Sequence, residues 1–287
     1  MGERGSASNT SAAPAPSLAP HYERIALDRH LKAGRALAAS MGLRRGERVL
    51  ELGCGTGLLA AQLADRVGAE GEVLGLDALP LRVQIAHQRS RHNLRFQVGD
   101  VYQLARFGAG SFEAIVANGV LHGWPDAARA LAECARLLVP GGRLGLVTPA
   151  GTHPHPAQQV QAALLAEPPY AGHAPPEEGR RYAVGAVELD GLLRRAGFAP
   201  VCVDAQPEVI LHASGDGAIE FMQASAWGHF LMHLPEALRV RARAEIVRRL
   251  EALRGPEGIR HDAMHLVAIA CKPLPQPAQA PRSGPGP

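Results

Sequence analysis

The segment V49-L50-E51-L52-G53-C54-G55-T56-G57 sets three alternating glycines behind an acidic residue and an apolar run. Glycines let a backbone take positive φ and approach a ligand closely. Where such a turn opens a helix, unpaired amides at the helix start face the ligand. Two more carboxylates end short apolar runs further on: Asp77 in GLD and Asp100 in VGD. An acid at Asp77's place can accept both hydroxyls of a ribose. A dinucleotide fold would place one there too, so the glycine spacing has to decide. The dinucleotide fingerprint G-x-G-x-x-G needs a third glycine that packs helix against strand. Counted from Gly53 that position is Leu58, and counted from Gly55 it is Ala60. Both fail, and nothing here calls for a pyrophosphate cradle.

Histidine is the next source of chemistry, with 13 in the chain. His122 follows an apolar run and stands beside Trp124. It can act as a general base or hydrogen-bond the substrate, or it can pack against a cofactor or helix. His229 and His233 lie four apart on a predicted helix and share a face. His261 and His265 are also four apart, the second starting a predicted strand. No carboxylate or cysteine stands at a fixed offset from either pair, so no metal is expected. The histidines at 229 and 233 are expected to line a substrate pocket, with Trp227 and Phe230 of the same helix as pocket aromatics or as core. His153, in THPHP, is a candidate substrate contact, or a polar loop residue.

The elements that position these residues alternate. Apolar runs at 48–54, 72–77, 94–100, 111–118 and 143–150 read as strands, and 56–68, 79–91 and 125–142 as helices, the last stopped by Pro140 and two glycines. Strands alternating with helices imply βαβ units, a parallel sheet and helices on both faces. Residues 151–182 read as a loop with a short helix at 157–166, followed by a helix at 186–198 and strands at 201–205 and 264–272. Residues 206–262 are too long for a hairpin turn and hold two helical patterns, near 216–231 and 235–254. Long insertions in compact domains tend to be lids or binding elements, so 206–262 is expected to be a helical cap over the active site. The core is then 21–205 with 263–272. Residues 1–20 and 273–287, rich in Ala, Ser, Pro and Gly, are expected to be a disordered leader and tail.

Bulk properties narrow the partners. The formal net charge is +3, small for 287 residues, and gives no footprint for nucleic acid. No run of about 18 apolar residues and no signal-peptide pattern occurs, so no membrane association is expected. Cys54, Cys134, Cys202 and Cys271 fit neither a zinc site nor a disulfide framework, which favours a reducing cytoplasm. The sequence leaves the oligomeric state unassigned.

Taken in order, E51-x-G53-x-G55-x-G57, Asp77, G99-D100, F112-E113-A114-I115-V116 and L137-L138-V139-P140-G141-G142 resemble the motifs of class I S-adenosylmethionine methyltransferases, over roughly residues 45–150. Within that superfamily the chain is similar to the small-molecule branch that includes ubiquinone-biosynthesis and trans-aconitate methyltransferases. The stretch FLMHLPEALRVRARAEI is loosely similar to the cap of the latter, while Gly123 stands where that branch often has an aromatic residue or histidine. The resemblance implies a Rossmann-like α/β fold. Its sheet has seven mostly parallel strands in order 3-2-1-4-5-7-6, strand 7 antiparallel, with the cap inserted between strands 6 and 7. It implies S-adenosylmethionine as cofactor, S-adenosylhomocysteine as product and a small-molecule methyl acceptor. It assigns cofactor contacts to Tyr22, Glu51, Gly53, Cys54, Gly55, Thr56, Gly57, Asp77, Ala78, Gly99, Asp100, Val101, Asn118 and Gly119. Asp100 would meet the adenine amino group, Asn118 and Gly119 the methionine portion, and Tyr22 would fold over from an N-terminal helix. Trp124 joins the substrate candidates. The second reading is a non-methylating member of the fold that keeps the cofactor structurally and catalyses another reaction, or serves as a binding module.

Overall fold

The computed structural model describes residues 18–173, 182–225 and 230–275, and side chains within these except at 18–28 and 223–225. A helix, α1 (Leu18–Ser40), precedes the first strand, so the last three residues of the expected leader are helical. The alternation then follows as β1 (Arg48–Leu52), α2 (Leu58–Val67), β2 (Glu72–Asp77), α3 (Pro80–Ala86), β3 (Leu94–Val98), β4 (Phe112–Asn118), α4 (Ala127–Leu137) and β5 (Leu138–Pro149). Further on lie α5 (Pro156–Leu165), α6 (Ala186–Arg195), β6 (Val201–His212), α7 (Gly215–Ser225), α8 (Glu236–Glu251) and β7 (Ile259–Cys271). The sheet order is β3-β2-β1-β4-β5-β7-β6, as the resemblance implied. β1 is parallel to β2 and β4, and β7 is antiparallel to β5.

Strand alternation divides the core in two. Val49, Val116, Val147 and Val267 point to one face, with Leu37 and Met41 of α1, Leu63 of α2 and Val83 of α3. Leu50, Ile115, Leu144 and Leu266 point to the other, with Leu131 and Leu137 of α4 and Leu189 and Leu193 of α6. Period-2 side-chain alternation in strands buried on both faces makes them read as continuous apolar runs.

Among the elements that differ from the expected bounds, two show a local reason. The helix expected over 125–142 ends at Leu137, and the next residue is extended and already pairs with Phe112. Pro140 offers no amide and disfavours helix at Val139. The chain therefore makes an excursion between the Phe112↔Leu138 and Ala114↔Arg143 pairs, with Gly141 at φ 78. Strand six, expected to stop at Ala205, runs on to His212 through Pro207. Proline is tolerated in a strand at a sheet edge, and β6 is the outermost strand.

The chain divides into two compact units. One holds 27–155, 180–210 and 261–287 and carries the body of the sheet. The other holds 1–26, 156–179 and 211–260, and in it α5, α7 and α8 pack around Leu164, Ile219, Ile246 and Leu250. The helices of the inserted stretch thus lie within 215–251, because β6 and β7 extend into the 206–262 interval from both ends.

Candidate active site

The turn between β1 and α2 doubles back beneath the end of β2. Gly53 and Cys54 both donate their amides to the carbonyl of Leu76, at 2.7 and 2.9 Å. Gly53, Gly55 and Gly57 all take positive φ, at 71°, 55° and 85°. A side chain on Gly53 would run into Val120, the residue that follows Gly119 beyond β4. The tight turn thus rests directly on the wall formed after β4.

Asp77 ends β2 and is buried. Its Oδ2 accepts from the Gly55 amide at 2.9 Å and its Oδ1 from the Leu79 amide at 2.9 Å. A carboxylate has about four acceptor sites, so two remain after both amides are satisfied. Glu51, one residue from the end of β1, is 3% exposed, and its Oε2 meets no hydrogen-bond partner among the described residues. Its carboxyl sits well above the ordinary carboxylate range. Burial is the main cause, the nearby Asp77 charge adds to it, and the Ala60 amide acts the other way.

This shift has a testable consequence. A carboxyl with a raised folded pKa stabilises the fold most below the unfolded value of about 4.3, and that contribution is lost as pH rises through the folded value. In the ligand-free protein, Glu51→Gln should flatten the fall in melting temperature from about pH 5 to pH 8 relative to the unaltered chain. Parallel pH profiles by calorimetry would show that Glu51 is not the group responsible.

Other predicted site residues fall nearby. Gly99 donates its amide to the Asp77 carbonyl at 3.0 Å. Asp100 caps the short 3-10 segment Val101–Arg106, its Oδ1 accepting from the Tyr102 amide at 3.0 Å, and Val101 is buried. Thr56 is buried and its carbonyl accepts from Arg89 Nη1 at 3.1 Å. Ala78 is exposed beside Asp77. Burial, then Glu51 and Asp77, push the Cys54 thiol far up, so it is no nucleophile. Asn118 ends β4 and donates from Nδ2 to the His30 carbonyl at 2.8 Å, while Gly119, at φ 71, gives its amide to Val147 at 2.7 Å. Glu51, the glycine turn, Asp77, Asp100, Asn118 and Gly119 therefore cluster at the C-terminal ends of adjacent strands, where ligands of open α/β sheets bind.

The remaining candidates scatter. His122 lies in the 3-10 turn Leu121–Gly123, its carbonyl accepting from the Tyr182 amide at 2.8 Å. Trp124 is 7% exposed within the hydrophobic core on the α4 side, so it packs as core and does not line an open face. His153 is exposed and bonds Thr152 Oγ1 at 2.8 Å. In the other unit, Phe230 is buried in the core with Leu231 and Leu234. Burial lowers the pKa of the His233 imidazole there, with His173 adding to the downward shift. Trp227, His229 and the side chain of Tyr22 lie outside the described residues.

Residues 49–142 match the model of a methyltransferase domain. The chain is 38% identical over 133 residues to trans-aconitate 2-methyltransferase of Deinococcus radiodurans, covering 46% of this chain and 49% of that protein. It is 36% identical over 158 residues to ubiquinone biosynthesis O-methyltransferase of Xanthomonas axonopodis pv. citri, covering 53% of this chain and 63% of that one. The chain thus spans about half to three-fifths of the length of these relatives. In fold it is similar to the YcgJ protein of Bacillus subtilis, with a TM-score of 0.62, 17% identity and coverage of 85% of this chain and 99% of that one. Sheet order, glycine turn and the match over 49–142 agree in making this part of the chain similar to class I S-adenosylmethionine-dependent methyltransferases.

Proposed function

We propose that the chain binds S-adenosylmethionine at the turn after Glu51 and transfers its methyl group to a small organic molecule. The observation that carries this is the pair of buried carboxylates, Glu51 and Asp77, flanking the glycine turn. An acidic residue buried beside a second one disfavours a pyrophosphate, and a cationic ligand brought to that place would offset the burial that penalises the Glu51 carboxylate. S-adenosylmethionine, when bound, supplies a methyl group activated by a positively charged sulfur.

The residues present suit that cofactor. Asp77 keeps acceptor capacity for a ribose diol, Asp100 for an adenine amino group, and the unpartnered Oε2 of Glu51 for positive charge. At Gly119 an added Cβ would meet the His30 ring in ordinary contact at 3.7 Å. Methyl transfer is an in-line displacement, so holding both reactants in line is the chain's main contribution. A small-molecule acceptor is supported by the named activities of the matched relatives and by the low net charge. Choice of acceptor is assigned to the inserted stretch 206–262.

Calorimetry with S-adenosylmethionine, S-adenosylhomocysteine and NADH tests the reading. Binding of both adenosyl compounds and none of NADH is expected, together with the mass of one added methyl on a product from a small-molecule acceptor panel. NADH binding, or no affinity for either adenosyl compound, would overturn it. Cofactor binding without transfer to any acceptor would favour the non-methylating reading.

A further inference from the structure

A chain of polar groups crosses the α1 face of the sheet and takes no part in the cofactor turn. Arg29 of α1 lies with its Nε 3.2 Å from Oε1 of Glu208, on β6. The other oxygen, Oε2, lies 2.9 Å from Nε2 of His265, on β7. The three side chains are between 27% and 37% exposed, so a ligand can reach them.

Register fixes where they stand. Asn118 pairs with Val147, Val147 with Val267, and Pro149, the last residue of β5, with His265. Val116, Val147 and Val267 face α1, so by alternation Asn118 and His265 face it too. His265 is two strands across and two residues along from Asn118, which places the two backbones about 12 Å apart. Helix α1 bridges that interval. His30 receives Asn118 Nδ2 on its carbonyl and sets its ring beside Gly119, while its neighbour Arg29 holds Glu208.

The chemistry of the chain is directional. A carboxylate at Nε2 keeps the proton of a neutral imidazole on that nitrogen and leaves Nδ1 as a lone pair. Arg29 on the second oxygen orients the carboxylate. A base so oriented is required only where the nucleophile carries a proton.

We propose that His265 accepts the proton of a hydroxyl methyl acceptor of the phenol or alcohol class, with Glu208 and Arg29 as positioning residues. The inference rests on the methyltransferase reading above. The acceptor O–H bond breaks and its proton passes to Nδ1 of His265. The oxygen's electron pair forms the new O–C bond as the methyl–sulfur bond breaks, its pair returning to sulfur and discharging the sulfonium. The imidazolium then releases its proton to water.

The test uses the full chain with catechol, 2-naphthol and benzyl alcohol as hydroxyl probes, and benzoate, already ionised, as comparison. Transfer to a hydroxyl probe is expected, with kcat falling about 10²–10⁴-fold in His265→Ala and His265→Asn. S-adenosylhomocysteine affinity should stay unchanged in both, and added imidazole should partly restore the alanine variant. Glu208→Gln should lower kcat with KM little altered. Nitrogen NMR of labelled imidazoles, which needs no turnover, should find His265 in the Nε2–H tautomer and find that preference lost in Glu208→Gln. The inference is overturned by undiminished kcat in the His265 variants, by an Nδ1–H tautomer, or by transfer to benzoate alone. Homocysteine-product binding with no transfer to any hydroxyl probe also overturns it and leaves the cofactor reading standing. Absence of that binding overturns the reading beneath it.

Discussion

Asp77→Ala should weaken S-adenosylhomocysteine binding by at least about 10²-fold, because each hydrogen bond to a charged group contributes roughly 1.5–3 kcal/mol and a ribose diol would make two. The carboxylate also acts on the turn itself. Its two oxygens hold the Gly55 and Leu79 amides, so removing them leaves both without that acceptor, the first in a buried place. Part of the lost affinity is therefore loss of a preformed turn. Asp77→Asn separates the two contributions. An amide retains one acceptor oxygen and can hold one of the two backbone amides, but its nitrogen cannot accept from a hydroxyl. Its affinity should lie between that of the unaltered chain and Asp77→Ala. Titration calorimetry of the three proteins reads this directly. Affinity within about threefold of the unaltered chain in Asp77→Ala, a difference below roughly 1 kcal/mol, would remove the residue from the cofactor site.

A large effect on stability is expected at Gly57. Its φ of 85° disfavours any L side chain, and a Cβ there would stand 2.6 Å from Cζ of Phe96 and 3.1 Å from Cβ of Ala86. Neither neighbour can retreat: Phe96 is 3% exposed on β3 and Ala86 is fully buried at the end of α3. Gly57→Val should cost about 1–2 kcal/mol for the left-handed backbone and about 1–3 kcal/mol for overpacking. A fall of roughly 10 °C in melting temperature follows at about 2–4 °C per kcal/mol for a chain of this size. Phe96→Leu made together with it should recover part of the loss, since it relieves the packing component and leaves the backbone component. A melting temperature unchanged within about 2 °C, or less than about 1 kcal/mol, would show that the turn can relax.

The parts of this protein that were legible in its sequence are those governed by local rules. Apolar runs ending in glycine or an acid marked β1, β2 and β4, which are buried on both faces, and β3, whose burial alternates at the sheet edge. The turn at 53–57 announced itself through glycine spacing, and Asp77 through its place at the end of β2. What stayed hidden depended on partners far along the chain. Pro207 reads as a strand terminator until β6 is seen to be an edge. Leu138 reads as helix until it pairs with Phe112. Trp124 looks like a pocket aromatic beside His122, yet its indole is drawn into the core. The link from Arg29 through Glu208 to His265 joins three elements, and no spacing rule brings them together. A signal was present in the four-residue spacing of His261 and His265, the second at the start of a predicted strand. On a strand the same spacing also puts both on one face.

The position of β7 between β5 and β6 sets the order in which the sheet can be completed. As the chain leaves the ribosome, β5 emerges with one side unpaired, and β6, whose only neighbour in the sheet is β7, with both. The strand that joins them comes after α7 and α8, near the end of the described chain. Until then the nascent domain exposes adhesive strand edges, which is where chaperone binding or wrong pairing would intervene. Because His265 lies on that same closing strand, the polar chain reaching Arg29 is complete only once β7 is in place. A stalled intermediate would hold its glycine turn and lack its base.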